Sequence, residues 1–190
     1  VMVDIDPETF CIDPEKIEAA ITPRTKAIIA VHVAGNPANL DELKNIAEKH
    51  DLSLIEDSAH AHGSEWKGHK VGTFGKAGTF SFQQSKLMTA GEGGIILTND
   101  DELEVYIRSV HDCGRMPNEW FYSHFIYGSN YRLSEWQGAV LLQQLKRLDE
   151  QSAIRTPNAD YLDNNLDQIE GIRVQKQLTH CTRNGHYCYI

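Results

Sequence analysis

The amino-acid sequence predicts an α/β layered domain built on a largely parallel sheet. Short apolar runs alternate with helical patterns through the first two-thirds of the chain. The run Lys26–Val33 (KAIIAVHV) is almost continuous in apolar residues, as expected of a strand buried on both faces. In sheets of this kind ligands sit at the carboxyl ends of strands, which directs the search for chemistry to the residues just after each run.

Val1–Asp6 sets apolar residues against Asp4 and Asp6 and reads as a strand. Asp13-Pro14 places a capping residue before a helix-starting proline, and Ile17, Ala20 and Ile21 follow at helical spacing. After Lys26–Val33, Gly35-Asn36-Pro37 breaks the strand. A helix is predicted from about Leu40 to His50, with Asn39 and Glu42 as a capping box and Leu43, Ile46 and Ala47 on one face. Leu52–Ile55 is the next strand and ends at Glu56-Asp57. Residues 63–78 carry five glycines, with charged and aromatic residues between them, and read as turns and short edge strands. Thr79–Phe82 and Gly94–Thr98 are two more strands. Asn99 with Glu102 opens a helix bearing Leu103, Tyr106, Ile107 and Val110. Residues 111–132 are aromatic, polar and irregular. Ser134 with Gln137 then caps a long helix whose stripe is Val140, Leu141, Leu145 and Leu148. Residues 151–190 continue this helix and turn to strand after Gly171. The expected organisation is one domain over residues 1–150 and the start of a second over 151–190.

Composition limits the function classes. At 190 residues, 41% hydrophobic and 24% charged, the chain can bury a sizeable core. With 18 basic and 27 acidic residues its formal charge is −9, which disfavours nucleic acid and anionic membrane surfaces as partners. No apolar run approaches the roughly 20 residues that span a bilayer, and no basic, then apolar, leader opens the sequence. Cys11, Cys113, Cys181 and Cys188 are few and scattered, which fits reduced thiols and a cytoplasmic location. The chain opens at Val1 and ends inside the β-like run His186–Ile190, as would a piece of a longer protein cut at both ends.

Three segments could carry chemistry: Glu56–Gly63 (EDSAHAHG), Ser81–Lys86 (SFQQSK) and Gly91–Gly94 (GEGG). Asp57, His60 and His62, with His32, offer metal-ligand types, but no established ligand spacing is met. The other reading of His60 and His62 is loop histidines satisfied by hydrogen bonds, and for His62 it is the preferred one. Gly91–Gly94 fits neither a phosphate loop nor a dinucleotide fingerprint and reads as a turn between strands. No Gly-x-Ser-x-Gly elbow is present. Lys86 is flanked by Phe80, Phe82, Leu87 and Met88, so burial is expected, and a buried amine is a competent Schiff-base nucleophile. Asp57 at the end of another strand could hold a pyridinium nitrogen protonated, as pyridoxal phosphate requires. Ser81 could donate to the cofactor phosphate.

The stretch EDSAHAHGSEWKGHKVGTFGKAGTFSFQQSKLMTAGEGGIILTNDDEL resembles the sugar and cyclitol aminotransferases of the DegT/DnrJ/StrS type. ITPRTKAIIAVHVAGNPANLDELKNIAEKHDLSLIED before it and GSNYRLSEWQGAVLLQQLKRLDE after it extend the likeness over about residues 1–155. The resemblance implies a fold type I pyridoxal-phosphate transferase, a three-layer α/β/α arrangement with a mostly parallel central sheet. It makes Lys86 the Schiff-base lysine and proton shuttle, Asp57 the pyridinium partner, Ser81 the phosphate-binding serine, and His60 the residue beside the cofactor ring. Asn130 matches an asparagine that reaches a neighbouring subunit's cofactor phosphate, which implies a homodimer with shared sites; its other reading is a turn residue before the long helix.

The implied reaction moves an amino group from glutamate or glutamine to a keto-sugar, often nucleotide-linked, or to a keto-cyclitol. Lysine rather than histidine at position 86 favours transamination over sugar dehydration within the family. His60 and the segment Gln83–Gly94 resemble two subgroups, the keto-cyclitol aminotransferases and the 3-amino-5-hydroxybenzoate synthases. A dehydratase of the second kind and a non-catalytic partner protein that keeps the fold are the alternatives. Residues Trp120–Tyr127 are candidates for the acceptor pocket. His186 and Tyr187 either approach substrate or pack in the core or at a strand edge.

Overall fold

A computed structural model of the chain describes residues 1–186. Its main sheet has the order β1 (Ala27–Val31), β2 (Ser53–Asp57), β5 (Ala77–Ser81), β6 (Gly94–Leu97). The β1–β2 and β2–β5 pairings are parallel, and β6 returns antiparallel to β5. The fold is therefore α/β with a mixed, mostly parallel sheet. A smaller antiparallel sheet joins β3 (Glu65–Trp66) to β4 (His69–Lys70) and to β7 (Cys181–Thr182). The glycine-rich stretch thus becomes a hairpin, which β7 extends from far along the chain.

Helices α1 (Pro14–Ala20) and α2 (Leu40–Lys49) lie on one side of the sheet, α2 against β1 and β2. Asp13 caps α1 through the Glu15 N–H, and Asn39 caps α2 through the Glu42 N–H. Leu40, Leu43 and Ala47 pack with Ile28, Ala30, Leu54, Trp66 and Val71 in the principal core. The opposite face differs from the expectation for Lys26–Val33. Ile29 is 59% exposed and Val31 40%, while Ile95, Ile96 and Leu97 of β6 are also exposed. In β1 successive residues alternate between faces, and the helices cover the face of Ile28 and Ala30.

Glu56 organises the carboxyl end of β2. It is fully buried and accepts four hydrogen bonds, from the N–H groups of Gly72 (2.7 Å), Phe74 (2.7 Å) and Gly75 (2.8 Å) and from His32 Nε2 (3.1 Å). His32 Nδ1 accepts the Ala38 N–H at 3.0 Å, so the ring proton is on Nε2 and points at the carboxylate. Burial opposes ionisation of Glu56, but the His32 and backbone donors win and hold its carboxyl below the usual value. The loop can come this close because Gly72 and Gly78 have no side chains. A Cβ on Gly78 would lie 2.1 Å from the Gly72 carbonyl oxygen.

Elsewhere the local signals need correction. Val1–Asp6 forms only an isolated bridge, Ile5 to Ile12, because no neighbouring strand lies alongside it among the described residues. Helix α3 (Asp101–His111) is capped by Asp100, whose Oδ1 accepts the Leu103 N–H, and not by Asn99. Helix α4 (Glu135–Leu166) has the predicted Ser134/Gln137 capping box and runs on through residue 150, with Pro157 inside it. Among the described residues after Gly171 the one named strand is the two-residue β7, and the rest of the β-like run His186–Ile190 lies outside them. Cys188 and Tyr187 lie outside the described residues, whereas Cys11, Cys113 and Cys181 are free thiols, Cys181 only half-buried. Burial pushes the Cys11 thiol up to about 12. No described helix is long and apolar enough to cross a membrane.

Two measurements check these assignments. Removing the Glu56 side chain (Glu56→Ala) orphans four buried donors, so urea unfolding should show a loss of about 3–5 kcal/mol. Because folding lowers the Glu56 pKa, its contribution is complete above the ordinary carboxylate value. It drains as pH falls through the lower folded value, and Glu56→Gln should remove that acid-dependent part. For the cap, Asp100→Ala should cost about 1 kcal/mol and Asn99→Ala less than about 0.5 kcal/mol.

Candidate active site

The candidate site gathers at the carboxyl ends of β2 and β5. The register pairs Val31 with Asp57 and Asp57 with Thr79, so Asp57 shares the open face with Val31 and Thr79. Its neighbour Glu56 points to the opposite, helix-covered face. Asp57 Oδ1 accepts the Ala59 N–H at 3.1 Å, which turns the chain and leaves the carboxylate half-buried. Ser81 ends β5 on the face of Asp57, and its Oγ accepts the Gln83 N–H at 3.3 Å.

Lys86 lies on the loop between β5 and β6. The Lys86 N–H bonds the Gln83 carbonyl at 3.0 Å, and Ser85 bonds the Gln83 side chain through both its N–H and its hydroxyl. Phe82 and Met88 anchor the loop against Leu141 of α4, and Gln137 donates to the Glu92 carbonyl at 2.8 Å. The expectation of burial is met by the flanking Phe82, Leu87 and Met88 but not by Lys86, which is half-buried. Leu87 and Met88 pack inward, while the Lys86 charge acts on His60, His62 and His186.

His60 is half-buried in the turn after β2. Burial lowers its pKa, the Lys86 charge lowers it further, and Asp57 opposes both. These three residues therefore lie within electrostatic reach of one another. The His60 ring stacks on that of His186, with centroids 4.6 Å apart and planes inclined by 11°. His62 is buried between Phe80 and Phe82. Contrary to the sequence expectation, neither of its ring nitrogens has a hydrogen-bond partner among the described residues. Burial pushes its pKa down to about 4, partly offset by the Ser81 backbone, whose approach falls short of a proper hydrogen bond. Burial and the neighbouring His60 and Lys86 push His186 down to about 4 as well. At neutral pH the site thus holds one amine, one carboxylate and three uncharged imidazoles.

Asn130 is separate in its contacts. It is exposed, its backbone bridges to Asp112, and its Oδ1 accepts the Arg132 N–H at 3.3 Å. Arg132 in turn pairs with Asp112, which folds this segment on itself. Trp120, Phe121, Tyr122, Phe125 and Tyr127 are exposed on the same segment. Among the described residues no group of three or more His, Cys, Asp or Glu side chains is placed to hold a metal ion. His32, considered as a ligand, has both ring nitrogens engaged by Glu56 and Ala38. Sequence reasoning named His186 but not its stacking on His60, and it missed the Glu56–His32 pair. A buried polar pair has no local signature when its partners lie 24 residues apart.

The donor set fits pyridoxal phosphate chemically. A carboxylate at a strand end suits a pyridinium nitrogen, a half-buried amine suits an aldehyde carbon, a hydroxyl suits a phosphate, and an uncharged imidazole suits a ring face.

The depressed histidines have a stability consequence. Between the ordinary value of 6.5 and about 4 the unfolded chain binds more protons than the folded one. The melting temperature should therefore fall as pH is lowered through that window. His62→Phe, which keeps the packing against Phe80 and Phe82, should flatten the fall in a calorimetric pH series.

Comparison with known proteins identifies the family. The profile described as the DegT/DnrJ/EryC1/StrS aminotransferase family matches residues 1–190. The L-glutamine:2-deoxy-scyllo-inosose aminotransferase of Streptomyces kanamyceticus is 45% identical, with 100% of this chain and 46% of the relative covered. The 3-amino-5-hydroxybenzoate synthase of Amycolatopsis mediterranei (strain S699) is 46% identical, with 98% and 49% covered. A crystal structure of 3-amino-5-hydroxybenzoic acid synthase superimposes with a TM-score of 0.93 at 44% identity, covering 98% of this chain and 49% of that one. The chain spans about half the length of the curated relatives it matches. On the family match and these identities, the chain belongs to the DegT/DnrJ/EryC1/StrS aminotransferase family.

Proposed function

We propose that this chain carries the central part of a pyridoxal 5′-phosphate-dependent aminotransferase that moves an amino group from glutamine to a keto-cyclitol. The observation that carries the reading is the convergence of Asp57, Ser81, His60 and Lys86 at the carboxyl ends of two adjacent parallel strands. The donor and acceptor are suggested by the relatives, several of which are named L-glutamine:2-deoxy-scyllo-inosose aminotransferases.

When bound, pyridoxal phosphate supplies an electron sink for the bond that ionises at the donor carbon. The protein supplies the rest. Asp57 keeps a proton on the ring nitrogen through its carboxylate. Ser81 donates its hydroxyl to the phosphate. His60, uncharged, lies beside the ring without adding charge. Lys86 holds the cofactor and moves a proton to and from the reacting carbon, in both halves of a ping-pong cycle. His60, His62 and His186, whose pKa values burial lowers, add no fixed positive charge beside Lys86.

Asn130 is assigned to the cofactor phosphate of a second copy, in a homodimer with shared sites. Its exposure and the exposed aromatic side chains around it are consistent with this assignment. Residues 1–150 are assigned to the large, cofactor-binding domain and 151–190 to the start of a smaller one. A second reading, synthesis of 3-amino-5-hydroxybenzoate, is favoured by the 46% identical relative of that name. Assay with a keto-cyclitol and glutamine against assay with an aminated dehydroquinate-like precursor separates the two.

In the gene product extended to its natural ends, borohydride reduction in the presence of pyridoxal phosphate should leave a single pyridoxyl label, on the peptide containing Lys86; these 190 residues alone should bind the cofactor poorly. Label spread over surface lysines of the extended protein, or none, defeats the reading. Lys86→Ala should abolish the label and lower turnover by about 10²–10⁴-fold, the usual worth of a positioned acid–base group. Asp57→Asn should keep the label and lose turnover.

A further inference from the structure

The segment after β7 makes contacts with the site that the reaction described above does not use. Asn184 is 2% exposed and donates from Nδ2 to two carbonyl oxygens, of His60 at 2.7 Å and of His62 at 3.0 Å. Its Oδ1 accepts the N–H of His186 at 3.0 Å. One amide thus grips the turn carrying His60 and orients the residue whose ring stacks on His60. The slot is built for it. A Cβ on Gly35 would lie 2.2 Å from Asn184 Oδ1 and 3.1 Å from the His60 carbonyl oxygen, so the backbone of the segment after β1 closes the space behind the amide.

These contacts span more than 120 residues of sequence, and every one of them acts on the His60 turn. The amide needs two acceptors and one donor in fixed positions, and all three are supplied. The stacked ring shields the outer face of His60 and limits its rotation, leaving one orientation for the imidazole. A neutral pair of rings stacks without charge repulsion, and the groups facing this pair are Lys86, Asp57, His62 and Arg155.

We propose that Asn184 and His186 are positioning residues that clamp the His60 imidazole from behind, Asn184 through the turn backbone and His186 through the ring. The link from His60 to cofactor rests on the aminotransferase reading; the clamp itself does not.

The test uses the full chain and site-resolved modification by diethyl pyrocarbonate, read by peptide mass. His186→Ala and Asn184→Asp should each speed modification of His60 by about two- to tenfold, the worth of one aromatic pair expressed as a local opening equilibrium. His186→Phe keeps a flat ring and should restore the original rate. His32, fully buried, serves as the fold control and should stay protected. Where Asn184→Asp also exposes His32, the comparison of His186→Ala with His186→Phe decides. Pyridoxal phosphate affinity, titrated by absorbance, should weaken in His186→Ala by a similar factor and recover in His186→Phe. An unchanged His60 rate in His186→Ala, with His32 protected, overturns the clamp. A wild-type protein extended to its natural ends that binds no pyridoxal phosphate overturns the aminotransferase reading instead, and the modification rates still decide the clamp.

Discussion

The buried carboxylate of Glu56 is the constraint on which the site depends. It is a charge without solvent, and it persists because three backbone N–H groups and one imidazole N–H converge on it. Those donors come from two places, the segment just beyond β1 and the glycine-rich loop before β5. Satisfying one side chain therefore ties the end of β2 to the segment leaving β1 and to the loop entering β5. The tautomer of His32 follows from the same network, because the Ala38 N–H occupies its other nitrogen.

The pleat of β2 gives two adjacent carboxylates opposite roles. Leu54 and Glu56 face the helix-covered side, and Ile55 and Asp57 face the other. A one-residue slip of register would bury Asp57 and expose Glu56, destroying the anchor and the candidate site together. The four hydrogen bonds on Glu56 are what make such a slip costly. Gly72 and Gly78 serve the same end, since any side chain at either would push the loop away from the carboxylate.

The loop bearing Lys86 is held at both of its sides rather than buried. Phe82 and Met88 pack on α4 below it, and Gln137 at the start of α4 reaches the Glu92 carbonyl. This leaves the amine accessible while its backbone stays fixed, the combination a nucleophile and proton carrier needs. The three uncharged imidazoles nearby are neutral for one shared reason, burial, with Lys86 adding to it in each case.

The sequence by itself determined the order of strands and helices, the caps at Asp13, Asn39 and Ser134, and the candidates Asp57, His60, Ser81 and Lys86. These are local matters, settled by spacing, by capping chemistry and by position just after an apolar run, and the family resemblance rested on the same contiguous motifs. Only the tertiary structure decided that β2 turns Glu56 and Asp57 to opposite faces, that Glu56 and the Ala38 N–H engage the two nitrogens of His32, that His62 packs between Phe80 and Phe82, and that Asn184 and His186 meet the His60 turn. Each of those depends on groups far apart in the chain being brought within a few ångströms. A hydrogen-bond partner, unlike a cap or a period, leaves no trace in the residues beside it.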